Sequence, residues 1–401
     1  SEVKGKMKEK KVSFKEGYAF DTVLNGFAAS VKADDLGKLV EIEGVTLVEP
    51  DAIVTAYEDI SSSTEVDYES DLISPMMNTS NSFLGIENLW DKGIEGQGIK
   101  VAVLDTGIDA DHPEFQGIYK GGKNFVPHTG TDYARPRADD DASETSPLDR
   151  PEHRPEFNAN GSSFYTSHGT HVAGTIAAIG ANQYGIKGIA PKVDLYAYRV
   201  LGAYGSGSTS NIIKAIDTAV IEEMDVINLS LGGGSNTETD ASSFALNNAM
   251  MAGTIAVSAT GNSGPNRGTI GTPATSRLGI AVGNTTNPEM LHYAEVSVTV
   301  GDYNLTKQLP LMATTFGKDV ATQLSGEFDL VAIPGVGNPS DFDGIDVEGK
   351  IALIARGSIA FVDKIENARA NGAVGTIIHN FAGGSNAPDI SNVFLGDSFE
   401  F

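Results

Sequence analysis

Apolar and polar residues alternate in blocks along the middle of the chain, and the blocks predict strands and helices in turn. Four mostly apolar runs are typical of strands buried on both faces of a parallel sheet: residues 98–105, 192–200, 226–230 and 254–259. Helices are predicted over residues 210–223 and 242–252. Because strand and helix alternate, we expect an α/β fold with a doubly wound parallel sheet, whose sites lie at the carboxyl ends of the strands.

A further helix is predicted over residues 168–178, with Ser167 as its N-cap. Gly169, Ala173 and Ala177 recur every four residues and form a strip of very small side chains, so this helix can approach a sheet closely. His168 lies in the first turn, where the positive end of the helix dipole disfavours an imidazolium ion. A neutral imidazole is what a general base requires.

The start of the chain predicts a small α+β unit over residues 1–56. Its elements are a helix over 4–11, a turn leading into a strand over 22–31, a helix over 33–42 and a strand over 44–51. This is most of a ferredoxin-like pattern without its first strand. Residues 57–80 are polar and acidic and predict a linker.

Two other stretches depart from the central alternation. Residues 124–166 are irregular, contain Asp139, Asp140 and Asp141, and predict an insertion that lies over the surface. From about residue 290 short β-like runs appear, followed by a helix over 361–371 and a strand over 374–379. We therefore expect residues 290–401 to form a separate, β-rich module.

Composition narrows the classes of partner. The chain has 53 acidic and 28 basic residues and a formal net charge of −25, which argues against nucleic acid or an anionic membrane surface as a partner. It has no cysteine, which excludes disulfides and thiol chemistry within these residues. No apolar run reaches the roughly 18 residues of a membrane span, so no transmembrane segment is expected.

Two polar residues lie at the carboxyl ends of predicted strands. Asp105 ends the first buried run, and a carboxylate there can accept a hydrogen bond from a histidine Nδ1–H. Asn262 follows the last run, and its amide can donate to a developing oxyanion, a contact whose loss costs roughly 3 kcal/mol of barrier. Taken singly, Asp105 can cap a turn and Asn262 can occupy a turn position beside glycine.

Taken together, three motifs resemble those of the subtilisin-like serine proteases. Val103 to Asp109, followed by His112-Pro113, is similar to the aspartate motif of that family. Ser167 to Gly174 resembles its histidine motif, and Ala259 to Pro265 its oxyanion-asparagine motif. The motifs occur in the family's order, and the similarity extends over residues 83–286.

The resemblance implies a serine endopeptidase with Asp105 as orienting carboxylate, His168 as general base and acid, and Asn262 as oxyanion donor. Its chemistry requires no cofactor. An extended protein or peptide substrate is expected to pair with glycine-rich edges, where another backbone can approach closely. The implied substrate-binding residues are Gly205, Ser206, Gly207, Ser230, Leu231, Gly232, Ala259, Thr260 and Gly261.

The resemblance extends to the flanking regions. Residues 1–56 resemble the family's inhibitory propeptide, chiefly through Phe20 to Phe27, so the protein's own propeptide is an expected intramolecular inhibitor. Residues 81–289 then correspond to the catalytic domain. Residues 290–401 resemble an inserted protease-associated domain, chiefly through Gly349 to Gly357. This organisation is typical of the larger secreted or cell-envelope bacterial members.

One family motif is missing. The family's nucleophile lies in a Gly-Thr-Ser-Met-Ala-type motif that opens a helix, and the 401 residues contain none. Gly271-Thr272-Pro273 is no substitute, because proline follows and no helical run begins there. In the resembled architecture the serine follows the inserted domain. We therefore expect a fragment cut at both ends that is inactive by itself.

Several stretches of the sequence suggest alternative metal or nucleotide sites. His168 and His171 are three residues apart on one helix, but no His-Glu-x-x-His pattern accompanies them. The aspartates 139–141 lack the spacing of a calcium loop. The family often binds structural calcium, and the resemblance implies Glu114 and Asn182 as candidate ligands. The glycines 232–234 lack a Gly-x-Gly-x-x-Gly pattern or a Walker lysine, which argues against nucleotide binding.

Two functions of different classes remain open. One is a secreted serine endopeptidase. The other is a catalytically dead relative that binds peptides in the groove formed by the same glycine-rich edges. Retention of Asp105, His168 and Asn262 favours the endopeptidase, because a pure binder needs none of the three.

Overall fold

Six parallel strands form the central sheet of the larger of two compact units, which comprises residues 1–60, 87–158 and 163–285. The structure is a computed structural model that describes residues 2–57, 76–127, 133–158, 162–182, 184–264, 266–285, 293–310, 325–357, 359 and 361–379. The helices are α1 (Glu2–Glu9), α2 (Leu36–Leu39), α3 (Met76–Phe83), α4 (Glu87–Trp90), α5 (His168–Ala177), α6 (Thr209–Ile221), α7 (Ala241–Ala252) and α8 (Phe361–Ala370). The strands of the larger unit are β1 (Phe14–Phe20), β2 (Gly26–Val31), β3 (Ile53–Ala56), β4 (Lys100–Asp105), β5 (Tyr119–Asn124), β6 (Asp194–Arg199), β7 (Ser206–Ser208), β8 (Val226–Leu229), β9 (Leu231–Gly232), β10 (Ile255–Ala259) and β11 (Ile280–Val282).

The central sheet has the order β11-β10-β8-β4-β6-β5, and all neighbouring strands are parallel. Strand β4 lies inside the sheet, and its two faces belong to different cores. Ala102 and Leu104 pack with residues of α6 and α7. Val101 and Val103 pack with residues of α5. Helices thus cover both faces, and the predicted doubly wound α/β fold is confirmed.

Helix α5 packs closely against the central sheet through its small residues. Gly169, Ala173 and Ala177 are all buried, as their spacing predicted. A Cβ atom at Gly169 would collide with the carbonyl oxygen of Gly107, just beyond the end of β4. The absence of a side chain therefore lets the first turn of α5 reach the carboxyl end of that strand.

Residues 2–57 form α1, β1, β2 and α2, with β1 and β2 antiparallel. The elements α1, β2 and α2 lie within or close to predicted elements, whereas β1 was missed. The strand predicted over residues 44–51 is wrong, because that segment forms no strand. Its polar side chains bind helix N-termini instead: Glu49 accepts from the Ala241 N–H and Asp51 from the Ser210 N–H. The strand forms just after it, as β3, between β7 and β9.

The described parts of residues 124–166 do not simply lie over the surface as predicted. Ala142, Thr145, Asp149 and Phe164 are buried within the larger unit. The edge strand β5 was also missed, because its sequence contains two glycines and two lysines and no apolar run.

The smaller unit comprises residues 61–86, 159–162 and 286–401. Its strands are β12 (Tyr293–Val300), β13 (Tyr303–Pro310), β14 (Leu330–Ala332), β15 (Ile351–Ala355) and β16 (Gly375–His379). Strands β12 and β13 pair antiparallel, whereas β14, β15 and β16 form a parallel sheet against which α8 packs. The helix and strand predicted over 361–371 and 374–379 are confirmed. Most of the predicted linker, residues 58–75, lies outside the described residues.

Across the described parts of the chain, no helix is both long enough and apolar enough to cross a bilayer.

The contact between α5 and β4 yields a paired stability prediction. We expect Gly169→Ala to lower the free energy of unfolding by about 3 kcal/mol, because the added methyl group meets rigid backbone. Gly174→Ala in the same helix has open space around it and should be neutral or stabilising by up to about 1 kcal/mol. The free energy of unfolding of both variants is measured by urea denaturation. Equal destabilisation of the two would contradict the close approach of α5 to the end of β4.

Candidate active site

Asp105 and His168 meet at the carboxyl end of the central sheet. Asp105 is the last residue of β4, and His168 is the first residue of α5. The His168 Nδ1 lies 2.7 Å from the Asp105 Oδ1, and the two residues are 4% and 1% exposed. The Thr106 N–H also donates to this oxygen, at 2.7 Å. A buried carboxylate in this position fixes the tautomer of the imidazole and leaves Nε2 for proton transfer.

The first turn of α5 is not capped as predicted. Ser167 occupies the N-cap position, but its backbone lies outside the extended region that capping needs, and its side chain makes no capping bond. The free N–H groups are bound from outside the helix: the Thr106 Oγ1 accepts from Gly169 at 2.8 Å, and the Glu144 Oε1 accepts from Thr170 at 2.9 Å. Residues near Asp105 thus hold the helix that carries His168.

Asn262 lies in the bend that follows β10. Strands β10 and β4 are parallel members of one sheet with β8 between them. Asp105 at the end of β4 and Asn262 just after β10 therefore lie at the same edge of the sheet. Asn262 is exposed, and its side chain makes no hydrogen bond within the described residues. The structure therefore brings Asp105 and His168 into contact and leaves the Asn262 amide accessible at the same edge of the sheet.

The predicted substrate edges pair with another segment of the same chain. Strand β3 lies antiparallel between β7 and β9, with Thr55 opposite both Ser206 and Gly232. Val54 is opposite Gly207, Ala56 is opposite Leu231, and the Tyr57 N–H donates to the Ser230 carbonyl oxygen at 3.4 Å. Gly205 precedes β7 and has a positive φ of 62°. We call the space between β7 and β9 the groove. Residues 53–57 occupy this groove as an added strand.

The side chain of Tyr57 fills a pocket walled by glycines. A Cβ atom at Gly232 or Gly271 would collide with its phenol oxygen, and one at Gly261 would press on its ring. Ala259 and Thr260 lead into this wall, and the Gly271 N–H donates to the Thr260 carbonyl oxygen. The phenol oxygen is buried and has no hydrogen-bond partner among the described residues, and burial raises the pKa of Tyr57. The pocket accepts a large ring through its shape.

Glu114 and Asn182 are brought together by hydrogen bonds. The Glu114 carboxylate accepts from the side-chain amide of Asn182 at 2.6 Å and from the backbone N–H groups of Gly180, Ala181 and Asn182. Burial works against ionisation of Glu114, but these hydrogen bonds together outweigh it and hold its pKa below the usual range. A carboxylate surrounded by N–H donors does not fit a calcium ion, which needs six to eight oxygen ligands.

The other metal candidates gain no geometric support. His168 is buried against Asp105, whereas His171 is exposed. Asp141 accepts from the Ser143 N–H and hydroxyl group. Among the described residues, no group of three or more histidines and carboxylates is placed to hold a metal ion.

Sequence reasoning missed three residues around the pair. Thr106 and Glu144 bind the first turn of α5, and Arg199 lies opposite Asp105 on the neighbouring strand β6. The Arg199 side chain is 0% exposed and donates to Asn124 and Thr145. A charged residue near the carboxyl end of a predicted buried strand was the one signal for Arg199. Glu144 had none, because it lies in an irregular stretch.

Comparison with known proteins places this geometry in context. A sequence profile of the subtilase family matches residues 96–378. The minor extracellular protease Vpr of Bacillus subtilis is 39% identical over 375 residues, which are 93% of this chain and 42% of that protein. Subtilisin E of Bacillus subtilis is 40% identical over 176 residues, 44% of this chain and 37% of that protein. The thermostable alkaline protease of Halalkalibacterium halodurans is 38% identical over 183 residues, 46% of this chain and 41% of that protein. The chain thus spans less than half the length of each of these three relatives.

The hydrogen bonds that Glu114 accepts predict a pH-dependent contribution to stability. We expect Glu114→Gln to lower the free energy of unfolding by about 2 kcal/mol at neutral pH, because buried N–H groups lose a charged acceptor. The folded-state pKa of Glu114 is lowered, so its stabilisation is present above its ordinary pKa and is lost as the pH falls through the folded value. The gap between variant and wild type should therefore close in acid.

The same variant tests the calcium expectation. Denaturant unfolding in calcium and in chelator should show the same effect of Glu114→Gln, and the exposed Glu152→Gln serves as control. An effect that appears only in calcium would mean that Glu114 does hold the ion.

The anchoring of β3 by Tyr57 can be tested without measuring peptide hydrolysis. Tyr57→Ala should weaken docking of β3 by about 2 kcal/mol, because a packed ring is lost. Amide hydrogen exchange at β7 and β9 should then accelerate about 30-fold where exchange reports the open population. Ile53→Ala is the matched control, since Ile53 lies in the same strand but is 74% exposed. Equal exchange in the two variants would contradict an anchoring role for Tyr57.

Proposed function

The chain belongs to the subtilase family, and we propose that the protein is a secreted serine endopeptidase that hydrolyses peptide bonds. The observation that carries this proposal is the buried contact of 2.7 Å between Asp105 Oδ1 and His168 Nδ1. In this role His168 takes the proton of a serine hydroxyl through Nε2, and Asp105 orients the ring and stabilises the imidazolium that forms. Asn262 donates to the oxyanion from the same edge of the sheet.

The nucleophile is assigned to a part of the protein outside these 401 residues. They contain no Gly-Thr-Ser-Met-Ala-type motif, and the 375 residues aligned with the relative Vpr are only 42% of that protein. The 401 residues by themselves are therefore expected to hydrolyse nothing. Secretion is supported by the extracellular relative Vpr.

Residues 1–56 are proposed as an intramolecular inhibitor of residues 81–289, the catalytic domain. Strand β3 and Tyr57 occupy the edges and the pocket that a substrate would use. Because peptide recognition by strand addition relies on the main chain, a segment of the same chain in this position excludes other peptides.

Carboxylates hold the inhibitory segment against two helices. Asp51 accepts from the Ser210 N–H at 2.8 Å near the start of α6, and Glu49 accepts from the Ala241 N–H at 3.1 Å at the start of α7. Negative charge is favourable at both places because it meets the positive end of a helix dipole. Asp217 on α6 in turn accepts from the N–H groups of Thr22 and Val23. These contacts support docking along the whole segment.

By resemblance, residues 290–401 are proposed to be an inserted protease-associated domain. The described part is consistent with a small β-rich module that has its own core, including Phe342, Ile354 and Ala368.

A fluorophosphonate probe on the full-length protein tests the reaction type. We expect one serine to be labelled, and both labelling and peptide hydrolysis to fall about 10⁴-fold or more in His168→Ala and Asp105→Asn. His153→Ala, at an exposed histidine, should behave as wild type. A folded full-length protein with no labelled serine would favour the peptide-binding alternative, and cleavage by the 401 residues alone that is lost in His168→Ala would contradict the assignment of the nucleophile.

A further inference from the structure

Glu144 lies in the irregular stretch before α5 and accepts three hydrogen bonds with its carboxyl group. The Thr166 hydroxyl donates to Oε2 at 2.6 Å, and the Thr170 N–H and hydroxyl donate to Oε1 at 2.9 and 3.0 Å. The nearby Thr106 hydroxyl favours the charged form of this carboxyl group and so acts to lower its pKa. The three hydrogen-bonding groups are donors, so the site is built for an acceptor on both oxygens.

These hydrogen bonds reach both members of the Asp105–His168 pair. Thr106 directly follows Asp105, and its oxygen accepts from the Gly169 N–H. Thr170 is in the first turn of α5, two residues after His168, and its oxygen accepts from the Asp109 N–H at 2.8 Å. Glu144 thus ties the segment after β4 to the helix turn that carries the imidazole.

The charges around Glu144 oppose one another. Burial raises the pKa of the Glu144 carboxyl, and the nearby Asp105 carboxylate adds to this. The buried guanidinium of Arg199 acts in the other direction, as does the positive end of the α5 dipole. Arg199 is also tied to this stretch, because it donates to the hydroxyl of Thr145, the residue next to Glu144. A carboxylate here is costly to bury, and its hydrogen bonds with Thr166 and Thr170 fix its position.

We propose that Glu144 is a positioning residue for the Asp105–His168 pair. It caps the first turn of α5 in place of Ser167 and binds Thr170, whose oxygen accepts from the Asp109 N–H, so the imidazole and the carboxylate stay at hydrogen-bonding distance. Glu144 touches no reacting group and acts through α5 and the segment after β4. A displacement of about 1 Å at a catalytic group can cost about 10²-fold in rate, so a cap at this point has a kinetic effect. The kinetic part of this inference rests on the proposed function, whereas the geometric part does not.

Three variants separate the contributions of the carboxyl group. Glu144→Ala removes every acceptor, Glu144→Gln keeps one oxygen for Thr170 and removes the charge, and Glu152→Ala is an exposed control in the same irregular region. The first readout is the Nδ1–H proton resonance of His168 in the 401-residue protein, assigned by its absence in His168→Ala. We expect Glu144→Ala to shift or broaden this resonance, and Glu144→Gln and Glu152→Ala to preserve it.

The second readout is the steady-state kinetics of the full-length protein. We expect kcat of Glu144→Ala to fall about 10²-fold with KM within twofold of wild type, and Glu144→Gln to recover most of the loss. If Glu144→Ala does not fold, Glu144→Asp takes its place, because it keeps the charge but retracts the carboxylate by one methylene group. The same loss of the resonance and of kcat is then expected.

Two results would overturn the proposal. One is an unchanged His168 resonance and a kcat within threefold of wild type in Glu144→Ala. The other is an equal loss in Glu144→Ala and Glu144→Gln accompanied by a raised KM and a lowered melting temperature, which would indicate a contribution to general stability. A full-length wild type without serine-dependent hydrolysis would refute the proposed function, and the resonance would still decide whether Glu144 positions the pair.

Discussion

The close approach of the first turn of α5 to the end of β4 determines the rest of the site. Gly169 lies against the backbone of Gly107, and its N–H donates to the Thr106 hydroxyl oxygen at 2.8 Å. Only a residue without a side chain allows this distance. Because Asp105 ends the strand and His168 begins the helix, the contact that packs the two elements also brings a carboxylate and an imidazole together. Packing and chemistry therefore depend on the same few atoms.

Helix N-termini recur as binding places for carboxylates in this acidic chain. Glu144 binds the first turn of α5, whereas Asp51 and Glu49 bind the starts of α6 and α7. Each supplies an acceptor to N–H groups that lack a partner within the helix and meets the positive end of its dipole. Binding of a carboxylate at a helix N-terminus thus occurs in two places. Glu144 binds the helix that carries His168, and Glu49 and Asp51 hold residues 44–57 against the larger unit.

The groove binds residues 53–57 in two ways, by main-chain strand pairing and by a pocket for the Tyr57 ring. Strand pairing fixes the register of residues 53–56 between β7 and β9. The pocket beyond it has walls of glycine and leaves the Tyr57 phenol oxygen buried without a hydrogen-bond partner among the described residues. A buried hydroxyl without a partner costs about 1–3 kcal/mol, so the ring is held by shape and apolar contact. Affinity for this segment therefore comes from the backbone, the ring and the carboxylate contacts together.

The sequence by itself determined the parallel sheet, the helix that carries His168 and the pairing partners Asp105 and His168, because local periodicity and short motifs encode them. The family resemblance implied the two edges that β3 joins. Only the tertiary structure decided that Ser167 makes no cap, that the strand forms at 53–56 rather than at 44–51, and that Glu144, Thr106 and Arg199 surround the pair. These features depend on hydrogen bonds between residues far apart along the chain, and no local pattern of apolar and polar residues records which distant donor an acceptor will meet.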